Sequence, residues 1–463
     1  MQQKSAYAKK RKRFFAVLLP IFITQISLTA TGFFDTVMAG HLSEQDLAGV
    51  AVGSNLFLPF FGMFLGIISG LTPVLSQLYG AGKRDKIAPI TRQGFYWALA
   101  LTVVLLVFGV LAAPVVLSAL ALEPRVEEIA KGYLSAIAFG LPPIFLAGVL
   151  RNFIDAHGKT RLTMCITILT VPFNIFFNYI FMYGAFGVPA FGGVGAGIGS
   201  AFAFLGNLLL NVAAVSRIEP FRSYHLFSVL PRLDFAEWRK QLGIGIPIGA
   251  TFFCEQSIFG AVALFMTAYG TAVVAAHQAA MSFTTVIYMI PLSVSMALTI
   301  LVGYEVGAKR MGDAAAYIRL GRVLTFAFEG SLALLFLTIR GPIASLFTTS
   351  PDVYELLVGF LLYAVFLQFA DSLNAPLQGA LRGYKDVRVT FYLAILSYWV
   401  IGLPLGYVAA HAGGLGPYGY WVSLIGGVLV GAVCLHLRLR RVQSRHFSPP
   451  SLRGDGPRER RGE

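Results

Sequence analysis

Charged side chains in this chain come in short clusters, and the long stretches between them are almost wholly apolar. Each stretch is long enough to cross a bilayer, which takes roughly 20 apolar residues as a helix. Backbone in hydrocarbon must satisfy its own polar groups, so each crossing reads as a helix rather than a strand. Twelve spans are predicted, over residues 14–38, 47–79, 92–120, 131–155, 161–184, 194–216, 241–268, 275–304, 318–340, 354–380, 389–410 and 417–437. The fold class that follows is an all-α membrane protein. An even number of spans puts both termini on one side.

Composition supports this reading. Of 463 residues, 56% are hydrophobic and only 13% charged. A soluble domain carries about 25% charged residues, so a large soluble globule is excluded. The net charge of +14 raises the question of nucleic acid. The positions of the charges answer it. All but three of the 36 basic residues fall on one side of the predicted topology, the exceptions being Arg125, Lys131 and Arg340. That bias is the positive-inside rule, and it places both termini in the cytoplasm of a bacterial inner membrane. The basic surplus then reflects topology and contact with anionic lipid, and no nucleic-acid partner is expected. The opening "KKRKRFFAVLLPIFI" imitates a signal peptide, but its apolar run is too long and no small-residue cleavage site follows, so it reads as the uncleaved first span. Cys165, Cys254 and Cys434 are too scattered for a disulfide framework or a zinc site.

The chain also repeats itself. At a shift of about 227 residues, Pro20 meets Pro247, Ala48 meets Ala275, and Gly80-Ala81 meets Gly307-Ala308, each pair followed by basic residues. "DAHGKTR" at 155–161 parallels "LRGYKDVR" at 381–388. The predicted organisation is a basic N-terminal segment (1–13), a first lobe of six spans (14–216), a cytoplasmic link (217–240), a second lobe of six spans (241–437) and a basic tail (438–463). Two halves with six spans each keep the same orientation and are related by an axis along the membrane normal. Two such bundles facing each other enclose a cavity that can open to either side. The link, with its paired prolines, aromatics and basic residues, looks interfacial, although a plain linker is the simpler reading.

Acids within spans are costly and usually have a function. Asp35, Glu255, Glu329 and Asp371 lie in spans 1, 7, 9 and 10. Gln256 and Ser257 adjoin Glu255, and Ser372 and Asn374 adjoin Asp371. Two carboxylates sharing a site favour a cation, which removes their repulsion; without it, one of the pair would hold a proton. Na⁺ and H⁺ both fit, with Glu255 and Asp371 as the oxygen ligands. Glu329 lacks a polar neighbourhood, and Arg322 two turns earlier offers a structural role for it. Asp155, near a helix end, is expected to pair with Arg151 four residues before it. The repeat does not duplicate the acids: Asp35 corresponds to Val262, and Glu255 to Leu28. Two unlike polar sites, one per lobe, are therefore expected. Asn174 and Asn178, one turn apart in span 5, are candidate partners for Asp35, with interhelical hydrogen bonding as their simpler role. Phe57, Phe61 and Tyr288 are candidates to line a cavity for flat cations, although packing is the commoner fate of an aromatic. The glycine-rich "GGVGAGIGS" at 192–200 reads as a close-packing stretch, and "GAGKRDK" lacks phosphate-loop spacing. No catalytic constellation is visible and no enzyme is expected. No ATPase domain is visible either, so energy must come from an ion gradient or a partner.

Several motifs together resemble the multidrug and toxic compound extrusion (MATE) transporters of the NorM type: "DTVMAG" (35–40), "LAGVAVG" (47–53), "GAGKRD" (80–85), "AAHQAAMSF" (275–283), "VGAKRMGD" (306–313) and "LRGYKD" (381–386). The resemblance implies twelve helices in two lobes and export of cationic drugs or dyes in exchange for Na⁺ or H⁺. It implies a cation site at Glu255 and Asp371, and a first-lobe polar site at Asp35, Asn174 and Asn178. Gln278, Tyr288 and Tyr363 stand as supporting residues. Leu367 departs from the family, where an aromatic hydroxyl is common one turn before the second-lobe aspartate; Tyr363 is the candidate substitute. No cofactor beyond the coupling ion is expected, and the protein is expected to be a monomer in the lipid bilayer. A lipid-linked precursor flippase of related architecture is the alternative, and it would need a basic cavity.

Overall fold

The computed structural model describes residues 2–229, 232–348 and 350–447, so the end of the predicted basic tail, 448–463, lies outside the described residues. Helix dominates. Span 1 is Gln2–Gly40, so its helix already includes the basic N-terminal residues. Span 2 is Glu44–Ser69 continued by Leu71–Gly80. Span 3 is Ile87–Ala119, and span 4 is Pro124–Ala138 with Leu141–Ala156. Span 5 is Thr160–Tyr183 and span 6 Gly193–Arg217. The second lobe follows with Phe235–Met266, Thr271–Gly307, Met311–Phe347 and Pro351–Gly383 as spans 7 to 10. Span 11 is Val387–Ala394, a wider π-helical stretch Ile395–Gly402, and Leu403–His411. Span 12 is Tyr418–Phe447. Eleven of these helical runs are long and apolar enough to cross a membrane, and the two halves of span 4, bent by 47°, make the twelfth. The sequence placed the start of span 4 at 131. The helix in fact begins at Pro124, a residue suited to the first helical turn, and breaks at Phe139–Gly140.

The duplication is visible in the backbone. Left-handed residues recur at a shift of 227: Gly82 (φ 71°) with Lys309 (58°), Gly158 (72°) with Lys385 (62°), and Gly187 (82°) with Gly414 (68°). Pro124 and Pro351 open spans 4 and 10 at the same shift. Local turn geometry is thus shared even where side chains have diverged.

The lobes meet through spans 1, 2, 7 and 8. Phe14, Val17, Leu18 and Ile21 of span 1 pack into a second-lobe core with Val294, Leu298 and Leu301. Reciprocally, Trp238 and Leu242 of span 7 pack against the first-lobe core. At the basic end the approach is closest. A Cβ on Gly80 would run into the Tyr304 carbonyl, and one on Gly307 into the Gln77 carbonyl. These two contacts are repeat counterparts of each other. The seam is reinforced by Gln77 Nε2 donating to the Gly383 carbonyl at 2.8 Å and by Arg13 facing Glu305 at 3.4 Å. Away from the basic end, Gly32, Gly62 and Gly260 have open space where a Cβ would point.

The link is not slack. Arg92 donates to the carbonyls of Leu226 and His225, and Gln93 Nε2 to that of Arg232 at 2.7 Å. Phe221 and Leu226 are buried in the first-lobe core. Asp234 then caps span 7, accepting from the amides of Ala236 and Glu237 at 3.0 Å each. Trp97 of span 3 donates to Gln241 of span 7 at 2.7 Å.

Candidate functional site

The first-lobe cluster forms around Asp35, which is only 7% exposed. Asn178 Nδ2 donates to Asp35 Oδ1 at 2.6 Å, and Ser200 Oγ to Oδ2 at 3.1 Å. Asn174 Nδ2 donates to Ser200 Oγ at 3.0 Å, while its own carbonyl accepts from Asn178 at 3.3 Å. Spacing alone brought both asparagines to one face, and the structure brings that face to Asp35. Ser200 was missed because it ends the glycine-rich run read as packing. That run does pack closely, and Gly199 leaves the room that the Asn178 side chain fills. Burial makes the network strict. Asn178→Ala strands Asp35 without its shortest donor, and a buried polar group left unsatisfied costs about 1–3 kcal/mol. The expected result is a lower thermal midpoint in detergent and weaker transport, with Asn178→Asp differing from Asn178→Ala in both.

The second-lobe cluster joins spans 7 to 11. Glu255 and Asp371 are each 8% exposed. Asp371 is close enough to feel the charges of Glu255 and Glu329, and Tyr288 and Tyr398 feel both Glu255 and Asp371. Glu329, which the sequence left without a polar neighbourhood, thus lies within electrostatic range of Asp371, and its Oε1 is buried and unpartnered. Asn374 lies near the Tyr398 hydroxyl, and its Oδ1 is buried with no partner among the described residues.

Glu255 is held by a relay. Gln378 Nε2 donates to Glu255 Oε1 at 2.7 Å, and Arg382 Nη2 donates to Gln378 Oε1 at 3.0 Å. The Arg382 guanidinium lies 4.7 Å from the Phe252 ring centroid. The charge bias placed Arg382 with the basic residues of the cytoplasmic side; at 6% exposure it is buried. Tyr398 was also missed. It lies in the π-helical stretch, a local widening often found at functional sites, and helical periodicity does not anticipate where such a stretch turns its side chains.

The supporting residues divide. Tyr288 belongs to the cluster. Tyr363 instead stacks on Tyr418 with ring centroids 5.3 Å apart, so the hydroxyls beside the acids come from Tyr288 and Tyr398. Gln278 is exposed, ten residues before Tyr288 and so about 15 Å along the helix axis. Phe57 and Phe61 stack on each other at 4.8 Å within the first lobe. Val262, the counterpart of Asp35, is a buried core residue, whereas Leu28, the counterpart of Glu255, lines the cleft between the lobes.

That cleft ends in a cavity of about 220 Å³ bounded by Gln25, Thr72, Asn152, Thr299 and Arg382. Thr72 and Thr299 are repeat counterparts. Arg151 and Asp155 also line it, with Arg151 Nε 3.6 Å from Asp155 Oδ2, as their spacing suggested.

The second-lobe cluster suits a hard cation. It offers two carboxylates and the unpartnered Asn374 oxygen, and hard cations prefer carboxylate, carbonyl and water oxygens. Among the described residues, no three His, Cys, Asp or Glu side chains converge as metal ligands. A cation here would depend on neutral oxygens to complete its shell.

Two stretches of the chain, residues 20–180 and 247–408, match the MatE family. The chain belongs to the MATE family. One matched stretch falls in each half of the chain, and each begins at one of the paired prolines. Relatives called probable multidrug resistance protein NorM are similar over almost the whole length. The one from Halalkalibacterium halodurans is 45% identical, covering 98% of this chain and 100% of its own. The one from Bacillus subtilis is 44% identical, covering 96% and 99%. A eukaryotic MATE transporter shares the fold with a TM-score of 0.83 at 18% identity, over 95% of this chain and 100% of its own. A mutant of the Vibrio cholerae MATE transporter VcmN does so with a TM-score of 0.84 at 18% identity, over 96% and 100%. This MATE protein is thus a multi-pass membrane transporter of the NorM type, not an enzyme.

Proposed function

We propose that this MATE protein is a multidrug-efflux antiporter of the bacterial inner membrane, exporting hydrophobic organic cations in exchange for Na⁺ or H⁺. The observation that carries the ion half is the burial of Glu255 and Asp371 together, beside the unpartnered Asn374 oxygen. The names of the NorM relatives support multidrug substrates. With the basic ends in the cytoplasm, the Gly80–Tyr304 and Gly307–Gln77 contacts seal the inner side, and this conformation faces outward. An external cation then reaches Glu255 and Asp371 and neutralises them. Loss of that negative charge weakens the hold on a cationic drug, which leaves. Reciprocity requires the drug to weaken ion binding equally.

A flippase for a pyrophosphate-linked lipid would need cations free to cradle phosphate. Arg151 and Arg382 do line the cleft, but Arg151 faces Asp155 and Arg382 is engaged by Gln378. The test is efflux of ethidium from proteoliposomes under imposed Na⁺ or pH gradients. Efflux that follows at least one gradient is expected. Efflux indifferent to both removes the antiport reading.

A further inference from the structure

A pocket apart from the transport path opens at the basic end of the second lobe, where span 7 begins and the chain turns from span 10 into span 11. It has a volume of about 630 Å³ and is lined by Arg239, Lys240, Lys385 and Arg388, with Gly243 and Val387 between them. We propose that this pocket binds the phosphate headgroup of an anionic phospholipid in the leaflet at the basic end.

Four observations carry the inference. First, the cations are short of counter-charge. Asp386, the carboxylate in the lining, is taken up by Arg438 at 2.6 and 3.2 Å. Glu237 pairs with the exposed Lys240 at 3.6 Å and only feels Lys385 from further off. Second, Lys385 is half-buried, and burial pushes its ammonium down from the ordinary lysine range. An anion beside it would offset that cost.

Third, the same helix faces continue into surface suited to acyl chains. Phe235 and Ile246 share a face with Arg239, one turn before and two turns after, and are 68% and 50% exposed. Tyr392, one turn beyond Arg388, is 66% exposed. A free phosphate has no use for these flanks, whereas a lipid fills both parts. Basic pockets between helices at a membrane surface suit such headgroups.

Fourth, the repeat keeps three of the cations: Arg239, Lys240 and Arg388 correspond to Lys12, Arg13 and Arg161. In the first lobe Arg13 is diverted to Glu305 and lies 4.4 Å from the Tyr304 ring centroid, and Gly158 stands where Lys385 does. The second-lobe set is the one left open.

The test is native mass spectrometry of the full chain, extracted from vesicles of equal parts phosphatidylcholine and phosphatidylglycerol. Retained phosphatidylglycerol is expected to fall about thirtyfold in a Lys385→Gln/Arg388→Gln variant, from the loss of two surface cations. It should hold in a charge-preserving Lys385→Arg/Arg388→Lys variant, and in Lys86→Gln/Arg217→Gln, which removes equal charge elsewhere on the same side. Unchanged retention in the first variant overturns the proposal. So does equal loss in either of the other two, which would mean misfolding or diffuse attraction. Displacement of the lipid by inorganic phosphate alone also overturns it, in favour of a free-anion site. None of these outcomes depends on whether the protein exchanges drug for ion.

Discussion

Asp371→Asn and Glu255→Gln are each expected to reduce ion-driven efflux by at least about tenfold, while leaving the protein folded and able to bind dye. Coupling energies between two ligands are typically 1–3 kcal/mol, or about 5–150-fold in affinity. In the proposed exchange the coupling rests on charge that the ion neutralises. Either substitution keeps the shape of the side chain and removes that charge. In wild type, Na⁺ or acid should weaken equilibrium binding of ethidium, and in the variants that dependence should flatten. Glu255→Gln has a second consequence. Gln378 loses its anionic acceptor, and through Gln378 so does Arg382, which is buried and hydrogen-bonded through its guanidinium to Gln378. Breaking a buried charge network at one member is more damaging than the loss of one contact implies. Glu255→Gln should therefore lower thermal stability more than Asp371→Asn. Full ion dependence in both variants would move the coupling site elsewhere.

Gly80→Ala and Gly307→Ala should also cut transport sharply, by a different route. Each added methyl would collide with a backbone carbonyl, which cannot rotate away as a side-chain tip can. Overpacking costs about 1–3 kcal/mol, and here the cost falls only on conformations in which the lobes touch at the basic end. An equilibrium shift of about 5–150-fold away from this conformation follows. Ser76, fully buried at this seam, offers the readout. A Ser76→Cys reporter, with Cys165, Cys254 and Cys434 replaced, should be protected in the parent and react with a hydrophilic thiol reagent once Gly80 is Ala. Continued protection together with normal efflux would show that the seam tolerates the methyl.

Much of the architecture was legible because the membrane makes sequence simple. A charge in hydrocarbon is conspicuous, so Asp35, Glu255 and Asp371 stood out without any structure. Asn174 and Asn178 were legible because a four-residue spacing fixes a shared helix face. The inward turn of Arg382 was not legible for the converse reason. It lies near a helix end with Lys385 and Arg388, and only packing between lobes decides which of the three points inward. Tyr398 depends on a widened helical stretch that shifts the register of its face. The turn that splits span 4 at Phe139–Gly140 leaves hydropathy almost unchanged, so the profile ran through it. Glu329 sits among apolar neighbours in sequence, and the nearby acid, Asp371, belongs to another helix.

The pinned start of span 7 has a mechanical consequence. The link is fastened to span 3 by Arg92 and Gln93, and Trp97 grips Gln241 just inside the helix. Span 7 is therefore a lever whose fulcrum belongs to the opposite lobe. Its 32 residues make an arm of about 48 Å. A tilt of about 10° at the fulcrum swings the far end by about 8 Å, on that same rise per residue. The glycine seam needs to part only slightly for the other end of the cleft to change from open to shut. Gearing of this kind explains how contacts too close to admit one methyl group can govern passage of a whole drug molecule.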